Sequence, residues 1–78
     1  MLKIVEQGGR EGTRLYLQGD VIGLWVEELR RSCEAAQGAG PLTVDLTEVG
    51  FLDRAGVDLL RKLDDAGVRL VNASGFLV

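Results

Sequence analysis

The stretch LTVDLTEVGFLDRAGVDLL, residues 42–60, carries the clearest structural signal in the chain. It opens on a strict alternation, with Leu42, Val44 and Leu46 on one side and Thr43 and Asp45 on the other. A period of two belongs to a half-buried strand whose apolar face meets a core. A short connection through Phe51 and Leu52 then leads to Asp53. Beyond it Val57, Leu60 and Leu63, with Leu59 on the flank, recur at helical spacing. An Asp at such a boundary accepts hydrogen bonds from the free N–H groups of the first turn, a cap typically worth about 1 kcal/mol. The stretch predicts strand, loop and capped helix, with the loop and the helix N-terminus together at one end of a sheet.

Toward the N-terminus, residues 1–6 predict a strand with Leu2 and Ile4 on one face. Residues 13–18 predict a second, with Leu15 and Leu17 inward and Tyr16 outward. The segment between them, QGGREG (7–12), reads as the glycine-rich turn of an antiparallel hairpin. No helix follows these glycines and no Lys-Ser/Thr completes a phosphate-binding loop, so they do not point to a nucleotide. Gly19-Asp20 predicts the start of the first helix, with Asp20 as N-cap and Trp25, Leu29, Cys33 and Ala36 as one apolar stripe, widened by Ile22 and Val26. Glu27, Arg30, Arg31 and Glu34 occupy the other face at pairing distance, a solvated surface. Gly38 and Pro41 end this helix. Asp20 and Asp53 each precede a glycine by three positions, Gly23 and Gly56. Two helices capped by one device account for that repeat without a duplication.

Toward the C-terminus, the second helix is expected to reach about Ala66, with Gly67 as its stop. Residues 68–72 (VRLVN) alternate as a fourth strand, and Ser74-Gly75 is expected to open a further helix with Phe76 and Leu77 inward. From the apolar ending on Val78, either a cut at that point or a few more helical residues beyond it is expected. The order β-β-α-β-α-β, with helices between the last three strands, implies parallel crossovers. Alternating strands imply that one sheet face is less covered than the other.

Length and composition narrow the function classes. Seventy-eight residues with one cysteine and no histidine predict one small domain, residues 1–78, with neither a disulfide framework nor a histidine metal site. Cys33 reads as a small buried apolar residue. The net charge of −3 with both signs interspersed argues against nucleic acid, which needs a basic patch. The few aromatics argue against a base-stacking surface. No apolar run approaches the roughly 18–20 residues that span a bilayer, and the N-terminus lacks a signal-peptide pattern, so the expected location is the cytoplasm.

The segment VDLTEVGFLDRAGVDLL, residues 44–60, resembles the signature of STAS domains, the family of the anti-sigma factor antagonists. Asp45, Leu46, Thr47, Phe51, Asp53 and Gly56 match its pattern, while Arg54 and Ala55 stand where the family has two serines. In the antagonists the serine directly after the Asp is phosphorylated by a partner kinase. The resemblance spans about residues 13–74, is strongest over 44–63, and lacks the family's later helices and last strand. It implies an α/β fold, a mixed but mostly parallel four-stranded sheet with helices largely on one face. It implies a non-enzymatic protein-interaction domain without cofactor or metal, whose partner is an anti-sigma factor, often itself a kinase. The implied contact residues are Thr47, Phe51, Asp53, Arg54, Ala55 and Gly56, with Asp20 and Asp53 as structural caps. Two other readings are an accessory subunit of a transport ATPase or permease, and a small-ligand or nucleotide module at the 47–56 loops. A homodimer is compatible with each.

Read for chemistry, the start of the second helix offers free N–H groups and a partial positive charge that welcome an anion. Gly56 is expected to allow close backbone approach there. Arg54 is not a kinase acceptor; it is either a solvated side chain or a fixed contact in a partner surface. Asp45, Glu48 and Asp53 imitate a Mg²⁺ pocket. Catalysis, however, needs a nucleophile with a base, and this region has neither His nor a Ser/Lys pair.

Overall fold

In the computed structural model, which describes residues 1–73, the chain runs β1 (Leu2–Gly9), β2 (Gly12–Val21), α1 (Leu24–Gln37), β3 (Leu42–Leu52), α2 (Arg54–Asp65) and β4 (Arg69–Val71). The strands form one sheet in the order β1-β2-β3-β4, with β1 antiparallel to β2 and the other neighbours parallel. This is the expected mixed, mostly parallel α/β sheet. The apolar strand positions Leu15, Leu17, Val21, Leu42, Val44 and Leu46 are buried in one core with Leu29, Cys33 and Ala36 of α1 and Leu59, Leu60 and Leu63 of α2. Alternate strand positions, among them Lys3, Gln7, Gln18 and Thr43, are exposed or half-buried on the opposite face, which neither α1 nor α2 covers. Burial pushes the Cys33 thiol up to about 12, which leaves it an inert filler of the core.

Three elements differ from the sequence expectation, each for a local reason. The glycine-rich segment is mostly strand: Gly8 pairs with Thr13 and Gly9 with Gly12, so only Arg10 and Glu11 make the turn. Gly12 is required there, because its φ is +122° and a Cβ would lie 2.2 Å from the Pro41 carbonyl oxygen.

The expected loop after Leu46 is also strand. β3 continues to Leu52 because it carries two residues that β2 does not match. Tyr16 pairs with Asp45 but Gln18 with Glu48, and Gly19 pairs with Val49 but Asp20 with Phe51. Such bulges break the period of two, so the segment does not look like a strand.

Asp20 is not a helix cap. It lies within β2 opposite Phe51, and α1 begins only at Leu24, after Gly23 at φ 56° and ψ −129° with no side-chain cap. β2 keeps its pairing through Val21, which carries Asp20 out of reach of the first helical turn. The expected helix from Ser74 lies outside the described residues.

Candidate functional site

Asp53 organises the end of the sheet where both helices begin. Its Oδ1 accepts from the Gly56 N–H at 2.7 Å, capping α2, and its Oδ2 accepts from the Gly23 N–H at 2.9 Å, holding the residue that opens α1. The Asp53 N–H donates to the Val21 carbonyl at 3.3 Å, so the same residue is tied to the end of β2. The Gly23 and Gly56 N–H groups hold its carboxyl below the usual carboxylate range.

Gly56 is buried, and a Cβ there would meet the Val21 carbonyl oxygen at 2.5 Å. Its small size therefore seats α2 on β2. The expectation that it admits a partner's backbone gives way to this packing role. Asp53 and Gly56 build the site while their neighbours present it.

Those neighbours are open. The Arg54 side chain is 92% exposed, with its Nε 3.7 Å from Asp58 Oδ1 one helical turn on, and Ala55 is exposed beside it. Phe51 is 58% exposed at the end of β3. Leu24, 87% exposed, adds a second large apolar side chain from the start of α1. Sequence reasoning missed Leu24, although its position outside the Trp25-Leu29-Cys33-Ala36 stripe was a usable signal. From Glu48 to Ala73 the chain has no Ser, Thr or Tyr, so the exposed segment carries no hydroxyl for a kinase.

Thr47 does not join this group. It precedes Phe51 by four residues of β3, and its side chain is engaged with Asp45 and Asn72. Its backbone N–H (2.9 Å) and hydroxyl (2.5 Å) both donate to Asp45 Oδ1, and the hydroxyl accepts from Asn72 Nδ2 at 2.5 Å. Arg14 Nη2 donates to Asp45 Oδ2 at 3.1 Å, and its guanidinium lies 5.2 Å from the Tyr16 ring centroid. These bonds strap β2, β3 and the residue after β4 together across the uncovered face. The Thr47 hydroxyl, then its backbone N–H, with help from Arg14, push the Asp45 carboxyl down to about 2. A phosphate on Thr47 would face that carboxylate, an arrangement like-charge repulsion opposes. Among the described residues no three acidic or cysteine side chains gather to hold a metal ion, so the Mg²⁺ pocket that Asp45, Glu48 and Asp53 imitate does not form.

No family model matches the sequence, and no curated protein matches it. A solved structure does: the anti-sigma factor antagonist SpoIIAA in its unphosphorylated form is similar at 25% identity with a TM-score of 0.62, over 90% of this chain and 69% of the SpoIIAA chain. The fold is the STAS fold that residues 42–60 imply, and SpoIIAA is the longer chain. Among the described residues, no helix is long and apolar enough to cross a membrane.

Proposed function

We propose that this chain is a non-enzymatic, cytoplasmic regulator of the anti-sigma factor antagonist kind, which binds an anti-sigma factor through the α2 end of the sheet without being phosphorylated there. One observation carries the reading. In a STAS fold similar to SpoIIAA, the position after the capping Asp holds Arg54, almost fully exposed, with Phe51 near the end of β3 and Leu24 at the start of α1 exposed as well. Large exposed apolar side chains around a rigid backbone platform are the anatomy of a protein-contact surface. Asp53 supplies the rigidity by fixing both helix starts. In phosphorylatable members of the family the unmodified serine form binds and added negative charge releases the partner. A fixed cation at that place would keep the surface in its binding form.

The partner is an anti-sigma factor of the kinase type. The test is co-purification from the native cell, followed by incubation of the complex with ATP and intact-mass measurement. The reading expects the complex to persist and residues 53–56 to gain no phosphate. Recovery of a transport ATPase or permease would replace the reading with the accessory-subunit one, and a phosphate within 53–56 would overturn it.

A further inference from the structure

The uncovered face of the sheet holds a depression of about 460 Å³ that the α2 end does not use. Its walls include Val5 of β1, Tyr16 and Gln18 of β2, and Asp45, Thr47 and Glu48 of β3. That volume lies in the range of about 300–1,000 Å³ found for small-molecule sites.

The first bulge of β3 builds it. Asp45 and Glu48 are three positions apart, so regular alternation would send them to opposite faces. The extra residue between the pairs Tyr16–Asp45 and Gln18–Glu48 turns Glu48 onto the face of Asp45. The side chains show it directly: Arg14 bonds Asp45 and Gln18 bonds Glu48 (2.5 Å), both from the same side of β2, with Tyr16 between them. The bulge thus places both carboxylates on the face that carries the Tyr16 ring, Asp45 opposite Tyr16 and Glu48 opposite Gln18.

The protein already displays the chemistry this arrangement selects. The Arg14 guanidinium sits over Tyr16 and against Asp45, combining a cation–π contact with a charged hydrogen bond. Arg14 satisfies Asp45 but not Glu48. Among the described residues Glu48 has only the neutral Gln18 amide as a side-chain partner. We propose that this depression binds a small organic cation, a guanidinium or primary ammonium on a short apolar stem, with Glu48 as its counter-ion and Tyr16 and Val5 as its walls. This site is separate from the partner surface and stands or falls apart from it.

The test uses the full chain, isotope-labelled, titrated at low ionic strength with agmatine and, separately, with butyrate as an anion of similar stem length. Amide shifts should saturate with agmatine and cluster at Tyr16, Gln18 and Glu48, while butyrate leaves them in place. Glu48→Gln, at an exposed position, should keep the melting temperature and lower agmatine affinity about tenfold, the effect of removing one charged hydrogen bond. Shifts that do not saturate in the millimolar range, shifts spread equally over other acidic positions such as Glu28 and Asp64, or an unchanged affinity in Glu48→Gln would each overturn the proposal.

Discussion

The two helices start beside the same carboxylate in different ways. α2 is capped from its own chain: Asp53 immediately precedes it, in extended conformation, and bonds Gly56 three residues on. α1 has no side-chain cap of its own, and the N–H of its N-cap residue Gly23 is held by Asp53, thirty residues away. Asp20, which looks like the counterpart of Asp53, pairs within the sheet. The contrast shows that the local motif Asp-x-x-Gly does not make a cap unless the strand before it stops at the Asp. It also shows that the position of α1 depends on α2. The exposed residues Leu24, Phe51 and Arg54 therefore sit on one stitched plate rather than on separate loops.

The sharpest way to break this arrangement is at the glycines. Gly56→Ala would place a methyl group 2.5 Å from the Val21 carbonyl oxygen. The backbone must shift, at a cost of about 2–3 kcal/mol. Gly23 has no atom within 4 Å of a would-be Cβ, so Gly23→Ala costs only its unfavourable backbone conformation, about 1–2 kcal/mol. Urea midpoints of the two variants should fall in that order, and equal values would mean that α2 is not seated as described.

Asp53→Ala should come next, lowering the melting temperature by roughly 5–10 °C, since a lost cap is joined by a lost tie to α1. Its signature is hydrogen exchange that accelerates at both Gly23 and Gly56. Asp20→Ala should stay within about 0.5 kcal/mol of the parent, as for a surface change outside any cap. If Asp20→Ala destabilised as much as Asp53→Ala, the asymmetry between the helices would be wrong.

Acid separates the same end from the uncovered face. Asp45 and Asp53 both have folded-state pKa values below the unfolded one, Asp45 at about 2 against an ordinary 3.8. Above the unfolded value both are ionised in either state and their stabilisation is complete. As pH falls from there toward about 2 the unfolded chain takes up protons first, and the contribution of Asp45 is progressively lost. Stability measured between pH 5 and 2 should therefore decline, and Asp45→Asn should flatten that decline, most of all at its lower end. An unchanged slope in Asp45→Asn would mean that the Arg14–Asp45–Thr47–Asn72 strap is not formed in solution.

Much of this fold was legible because burial follows periodicity. Leu42, Val44 and Leu46 are core, as their alternation predicts, and Leu60 and Leu63 face the sheet as their spacing predicts. The rest was hidden where pairing overrides local pattern. The bulges disguise residues 47–52 as a loop, and strand pairing absorbs Gly8, Gly9 and Gly12. The site was legible in part. Arg54, Ala55 and Phe51 are exposed, whereas Asp53 and Gly56 are committed to intramolecular bonds and packing, and Thr47 belongs to the other face. The bond from Asp53 to Gly23 spans two elements, and nothing in either local sequence announces it.

The smallest effect on stability should accompany the largest effect on binding. Arg54→Glu alters a side chain that is 92% exposed and pairs with Asp58 one turn on, and an acidic residue suits a first helical turn, so the fold should hardly weaken. The most direct test of the proposed partner surface is the ratio of affinities of the parent chain and Arg54→Glu for the co-purified partner, with Arg10→Glu in the hairpin turn as control. Reversal of an interfacial charge should weaken the complex by about 1–2 kcal/mol, roughly tenfold, while the control binds as the parent does. Equal affinities for the parent and Arg54→Glu would contradict the account and leave Arg54 a solvated side chain.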